Sequence, residues 1–443
     1  DPSGGRYVLD DLLMKYCRTE IVRSDVVEAG QLDLDGGSHD QLLDVARDAL
    51  AINRLAPVMS NLIEERSMVW LYEDLERPLI SVLSRMEDAG VGVDVTELTR
   101  MRDYLVGEVE RLESSIHGLA GHDFNVNSTK QLREVLFEEL GLTPQKKTKT
   151  GYSTDAASLE KIKDQHEIVT VLLEYREVEK LRSTYGQGLL DVADSDGRIR
   201  ATFNQTVART GRLSSEEPNL HNIPVRTPLG REFRKAFVPV EGFELLVADY
   251  NQIELRVIAH LAEDPGLIGA FEAGVDIHNA TAASIFDVDP DDVNVEQRSQ
   301  AKMVSYGLAY GMEAYGLGQR LGIETGEAAE ILKAYFAAFP AVKSFMDYIV
   351  EQTKETGYTE TIFGRRRPIP DLASPNFRVR QAAERQAMNA PIQGLAADIF
   401  KIALVEIDRS LTSMSAQSRL VLQVHDEVIL EVHPDESNAI KTM

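Results

Sequence analysis

The sequence predicts an α+β chain: a small sheet assembled from strands that lie far apart in the sequence, with long helical insertions between them. Two observations predict it. Apolar positions recur at three and four residues through 67–89, 96–119 and most of 257–360, which is the helical period. Period-two or continuous apolar runs bounded by turn residues occupy 197–207, 243–250 and 419–432, as strands do. No internal repeat or low-complexity tract interrupts this alternation.

Each element follows from its residues. Residues 1–65 join a short acidic segment, GQLDLDGG, to a helical run, DQLLDVARDALAINRLAPVMSNLIEE, and read as the end of a domain that starts upstream. The next stretch, MVWLYEDLERPLISVLSRMEDAG, repeats Leu79, Leu83 and Met86 along one helix face, and Gly90 punctuates it. A helix over about Thr96 to Leu119 is rich in Glu and Arg, as an exposed or paired helix is. NSTKQLREVLFEELG opens with a capping signature, Asn127 or Ser128 with Lys130 or Gln131 three residues on, and stops at Gly141. Residues 94–185 thus form a charged helical subdomain with a flexible basic loop, QKKTKTG. RLVLQVHDEVILEV, at 419–432, reads as two strands interrupted at His425 and Asp426.

Composition narrows the function classes. The formal charge is −25 and the pI about 4.8, which argues against non-specific nucleic-acid binding through net field. Screening limits each surface charge to roughly 8 Å, so a local cationic cleft remains compatible with that balance. Basic clusters do occur, in QKKTKTG, in RTPLGREFRKAF at 226–237 and in the arginine-rich stretch 363–385, each readable as a solvated loop or as a binding surface. The single cysteine, Cys17, rules out an internal disulfide and points to a reducing, cytoplasmic compartment. No run of about 18 apolar residues and no cationic-then-apolar leader is present, so neither a membrane span nor secretion is expected.

Four constellations carry chemistry. Arg298, Lys302, Tyr306 and Tyr310 follow one another at steps of four and so form a ribbon along one helix face. Two like charges at that spacing repel by a few tenths of a kcal/mol unless an anion sits near them. LLVADYNQIELR ends an apolar core strand in Asp249, with Glu254 five residues later; VLQVHDEVILEV sets His425, Asp426 and Glu427 at a bend between buried arms. Such acids are edge carboxylates in water and an ordinary Asx turn, or they share two Mg2+ ions through hard oxygen ligands. TGRLSSEEPNLHNIP gathers Arg212, Asn219, His221 and Asn222 in a segment that prolines keep irregular, suited to loop solvation or to minor-groove and sugar contacts. MNAPIQGLAAD adds Asn389 and Gln393 at four-residue spacing beside Pro391. Neither GxGxxG nor GxxxxGK[ST] occurs, which disfavours a kinase or switch NTPase.

Taken in order, TGRLSSEEPNLHNIP, DYNQIELR, RSQAKMVSYGLAYG, NAPIQG and VHDE resemble the family A DNA polymerases, from about residue 66 to the end. The resemblance implies a right-hand polymerase fold, a palm sheet with helical fingers and thumb, behind the remnant of an N-terminal exonuclease-like α/β domain. Its divisions are 1–65 for a truncated, inactive 3′–5′ exonuclease-like domain, 66–93 for a linking helix, 94–185 for the thumb, 186–259 and 393–443 for the palm, and 260–392 for the fingers. It implies template-directed transfer of a deoxynucleotide from dNTP to a primer 3′-hydroxyl, by a two-metal mechanism, in a monomer whose partners are primer-template DNA and dNTP.

By the same resemblance, Asp249, Asp426 and the Tyr250 carbonyl hold two Mg2+ ions, and Glu427 supports them. Arg298 and Lys302 grip the triphosphate, Lys302 also serving catalysis; Tyr306 stacks on sugar and base; Tyr310 sits by the template position. Gln252 and Glu254 face the nucleotide, Glu254 crowding its C2′. Arg212, Asn219, His221, Asn222, Arg385, Asn389, Gln393 and His425 face primer-template DNA. Three departures stand out: His221 where the family most often has Gln, DVARD with Asp44 and Asp48 in place of Tyr-x-x-x-Asp, and an end at SNAIKTM before the last palm elements. No proofreading is therefore expected. On its acids alone the chain equally fits a metal-dependent nuclease, which gives no reason for the Arg298–Lys302–Tyr306 ribbon.

Overall fold

The structure, a computed structural model, describes residues 7–21, 38–148, 151–223, 228–309 and 311–443. The acidic segment GQLDLDGG, Arg226 and Tyr310 lie outside the described residues. The chain divides into two compact units, one comprising 1–83, 204–214 and 249–412, the other 84–203, 215–248 and 413–443.

The first unit is almost wholly helical. Helices Ile253–Ala262, Ile277–Phe286, Val295–Ala309, Thr325–Ala338 and Pro340–Thr356 enclose one apolar core that includes Leu255, Val257, Val304, Tyr335 and Val342. The sequence supplies their punctuation: Asp264 and Asp276 each accept two backbone N–H groups at a helix start, and Gly322 and Gly357 close helices with left-handed φ. The longest helix, Phe377–Ser413, runs unbroken through Pro391, so the expected fingers–palm division at 392/393 falls inside one continuous element. Its inward stretch 389–398 is buried except for Gln393.

The second unit packs helix Val95–Ala120 against helix Glu167–Leu181. The first of these matches the expected span, and Asp94 caps it by accepting the Glu97 amide at 3.0 Å. Ser128 caps the next helix through the Gln131 amide, as one of the two expected registers has it, while Gln131 Oε1 accepts the Asn125 amide. On the two sides of the basic loop, Lys147–Thr148 pairs with Gly151–Tyr152 as two short antiparallel strands, while Lys149 and Thr150 lie outside the described residues. The expected strand at 197–207 divides into Arg198–Ile199 and Thr202–Asn204.

A three-stranded sheet orders Arg419–Val424, Glu427–Val432 and Glu244–Asp249 as neighbours, in that sequence. The first two form an antiparallel hairpin with Val424 opposite Glu427. Its two-residue turn places His425 at φ +54°, a left-handed conformation that costs a non-glycine residue of order 1 kcal/mol. Glu244–Asp249 corrects the sequence reading. Its apolar run suggests a core strand, yet among the described residues it is an edge strand, and Val247 is 53% exposed. An edge strand has a neighbour on one side only, so an apolar run does not by itself make it buried. Among the described residues no helix is long and apolar enough to cross a membrane.

Candidate active site

Three of the ribbon's four positions lie in the described residues. Helix Val295–Ala309 carries Arg298, Lys302 and Tyr306 on one face. The anion beside Arg298 is the chain's own Asp276: its Oδ2 accepts from Arg298 Nη2 at 2.7 Å, while its Oδ1 accepts the amides of His278 and Asn279 at 2.9 and 3.1 Å. Burial pushes the Asp276 carboxyl up, but Arg298 and the two amides outweigh it and hold the group below the usual carboxylate range. Lys302 is exposed and, among the described residues, has no ion-pair partner; its Nζ stands 6.0 Å from the Tyr306 ring centroid. His278 is buried beside Tyr306, with ring centroids 5.7 Å apart. Burial pulls its pKa down against the opposing pull of Asp276, and Lys302 and Arg298 add to the lowering. Asp276 and His278 were not singled out from the sequence; the signal was the helix-cap pattern of "DIHN", which any helix start provides.

Asp249 and Glu254 part company. Asp249 is exposed and has no cation among the described residues. Glu254, the second residue of helix Ile253–Ala262, is 4% exposed and accepts from Arg212 Nη2 at 2.6 Å. The alternative of an edge carboxylate in water therefore fails for Glu254, because a buried carboxylate needs a cation and Arg212 is that cation. Gln252 begins the same helix in left-handed conformation, φ +59°, and Tyr250 is exposed with its ring 6.1 Å from Phe400.

On the long helix Arg385 donates to Glu313 at 2.9 Å. Asn389 is buried, and its Oδ1 has no hydrogen-bond partner among the described residues. The expected arginine surface at 363–385 is largely engaged within the protein: Arg365 pairs with Glu76 and Asp398, Arg366 lies over the Tyr358 ring at 4.6 Å, and Arg380 donates to the Ser374 carbonyl.

In the second unit the hairpin turn presents His425, exposed, with Asp426 and Glu427 half-buried. The His221 ring lies 5.9 Å from that of His425, and its Nε2 is buried without a partner among the described residues. Burial, then repulsion from His425, pulls the His221 pKa down. Asn219 is occupied locally, its Oδ1 accepting the His221 amide at 3.1 Å, and the Asn222 carbonyl accepts from Tyr185 Oη.

Residues 95–443 match the family model of DNA polymerase family A. The chain belongs to that family. DNA polymerase I of Mycobacterium tuberculosis is 44% identical over 448 residues, covering 100% of this chain and 49% of that protein. DNA polymerase I of Geobacillus stearothermophilus is 49% identical over 394 residues, covering 88% of this chain and 45% of that one. A solved structure, the POL domain of Pol1 from M. smegmatis in complex with DNA primer-template and dNTP, superposes with a TM-score of 0.92 at 41% identity, covering 100% of this chain and 75% of that one. The chain spans about half the length of the curated relatives it matches. Its fold is accordingly the α+β polymerase fold of family A, with palm, fingers, thumb and an N-terminal domain.

A family A polymerase requires carboxylates for metal, and the donor chemistry here fits. No group of three or more metal-ligating side chains gathers among the described residues. Asp249 nonetheless is an exposed carboxylate with no ion-pair partner among the described residues, and Asp426 is a half-exposed carboxylate at a hairpin turn. Each offers the hard oxygen that Mg2+ prefers.

Proposed function

We propose that this chain is a DNA-directed DNA polymerase that extends a primer 3′-hydroxyl on a template strand, acting as a cytoplasmic monomer. The observation that carries the reading is the face of helix Val295–Ala309, where an exposed Lys302 without an ion-pair partner among the described residues stands between Arg298 and the Tyr306 ring. Such a face suits a triphosphate followed by a sugar and a base. A metal-dependent nuclease has no use for it.

In this reading the thumb is 94–185, the palm 186–259 with 393–443, the fingers 260–392, and 66–93 the linking helix. Residues 1–65 are an exonuclease-like domain without proofreading, in which Asp44 is tied to Arg47 at 2.8 Å. Asp249, Asp426 and the Tyr250 carbonyl hold two Mg2+ ions, with Glu427 in support. When bound, the ions supply charge stabilisation at the attacking and leaving oxygens of phosphoryl transfer. Arg298 exchanges Asp276 for the triphosphate, Lys302 neutralises charge on it, and Tyr306 orients the sugar while Tyr310 borders the template base. Gln252 and Glu254 line the sugar side; Glu254, held rigid by Arg212, excludes a 2′-hydroxyl. Arg212, Asn219, His221, Asn222, Arg385, Asn389, Gln393 and His425 hold the primer-template.

The test is primer extension with Mg2+ and dNTPs, run beside degradation of a mismatched primer without dNTPs. The expected result is template-dependent extension without degradation. Asp249→Asn and Asp426→Asn each abolish extension while duplex affinity stays within about threefold, because these acids meet ions rather than DNA phosphates. Near-normal turnover in either variant removes that residue from the ion site, and degradation without extension makes the chain a nuclease.

A further inference from the structure

Glu76, Thr361, Arg365, Asp398 and Lys401 form a closed polar network inside the first unit that neither nucleotide gripping nor metal binding uses. Asp398 is fully buried and accepts from Thr361 Oγ1 at 2.7 Å and from Arg365 Nε at 2.6 Å. The far end of the same guanidinium, Nη2, donates to Glu76, which also accepts from Lys401 Nζ and from Gln205 Nε2, each at 2.7 Å. Lys401 is 1% exposed, and burial pulls its ammonium down to about 8. Two carboxylates and two cations cancel in charge, which makes the burial tolerable without making it the most stable way to fill the space. Such a set is better suited to specifying one geometry.

The network ends on backbone at two places. Gly211 has φ +85°, and a Cβ there would lie 2.7 Å from Arg365 Nε and 2.8 Å from its Cδ; a Cβ on Gly394 would lie 2.9 Å from Thr361 Cγ2. Gly211 directly precedes Arg212, and Gly394 directly follows Gln393. Asp398, which both Thr361 and Arg365 grip, lies one turn beyond Gly394 on the same helix. Gln205 fastens the other end of the Arg212 loop to Glu76.

We propose that this network is a positioning device that sets Arg212 and Gln393 at one fixed spacing, so that together they read the minor-groove edge of the primer-terminal base pair. The proposal rests on the polymerase reading, in which these two side chains face DNA. That edge offers a purine N3 or a pyrimidine O2 whatever the base pair, so two donors held at fixed spacing test pair geometry without reading sequence. Thr361 and Arg365 are positioning residues: they act through Arg212 and Gln393 and do not touch DNA themselves.

The experiment compares primers ending in guanine and in 3-deazaguanine, where a CH replaces the minor-groove N3 and the pairing edge is kept. Extension by the unaltered chain loses about tenfold in kcat/KM on the deaza primer, as the loss of one hydrogen bond to a charged donor implies. Thr361→Val keeps the side-chain shape and removes one donor; Arg365→Lys keeps the charge and removes the fork. In each variant the guanine-to-deazaguanine ratio contracts to about twofold, with most of the fall on the natural primer, and Arg365→Lys is the more affected. A variant that slows equally on both primers, leaving the ratio as in the unaltered chain, makes the network merely structural and overturns the proposal, as does a variant with no change at all. If Arg365→Lys fails to fold, the ratio for Thr361→Val decides. An unaltered chain that extends neither primer overturns the polymerase reading and the proposal with it; one that responds to the deaza base while both variants respond equally overturns the proposal alone.

Discussion

Asp276 divides its two carboxylate oxygens between two tasks, one capping helix Ile277–Phe286 and the other holding Arg298. Asp276→Asn separates them. Asparagine is as good a cap as aspartate, so the helix start survives, while the charge beside Arg298 is lost. The two side chains are each 42% exposed, so the pair contributes under about 1 kcal/mol after solvent screening. In the proposed reaction the triphosphate competes with Asp276 for the same guanidinium. The variant should therefore lower KM for dNTP by about two- to fivefold, with kcat within about twofold, in steady-state kinetics at saturating primer-template. A raised KM would show that Asp276 orients Arg298 for the nucleotide and does not compete with it.

At the scale of the element, the hairpin Arg419–Val424 and Glu427–Val432 holds Asp426 at its tip. Glu431, fully buried on the second arm, accepts from Arg198 Nη2 and Arg419 Nη2 at 2.8 Å each and from the Val240 amide at 3.2 Å. Arg198 is itself 8% exposed and donates onward to the Ala89 and Gly90 carbonyls. Removing the carboxylate leaves a buried guanidinium without its counter-charge. Glu431→Ala should cost about 3–5 kcal/mol in urea denaturation, and Glu431→Gln, which keeps an acceptor, clearly less. Equal stability of Glu431→Ala and the unaltered chain would mean that Arg198 is satisfied by the carbonyls alone.

For the whole molecule, the charge of −25 opposes DNA, and Arg365, Arg366 and Arg380 of the basic stretch are engaged within the protein, which takes them out of the count of phosphate contacts. Log affinity for primer-template should fall linearly with log salt at about 0.9 per phosphate neutralised, and the total slope should stay below about 5 in magnitude. Binding titrations from low to moderate salt measure it. A slope near 10, typical of proteins making many phosphate contacts, would place several more lysines or arginines on the DNA path than the structure leaves open.

What the sequence by itself determined is local. The helix Val95–Ala120, the hairpin turn at His425 and Asp426 and the Arg298–Lys302–Tyr306 face follow from period, caps and spacing, because each depends on residues within a few positions of one another, and the family follows from short motifs taken in order along the chain. Tertiary structure decided which polar groups are consumed. Glu254 became the buried partner of Arg212, 42 positions away, and Arg365 became the centre of a network reaching back to Glu76, 289 positions away. The apolar strand ending in Asp249 was placed at a sheet edge, and Asp276 was brought to Arg298 across 22 positions. A charge pattern along the chain records the sign of each side chain and not its counter-ion, and burial sets the need for one; both are properties of packing between segments that the linear order does not make adjacent.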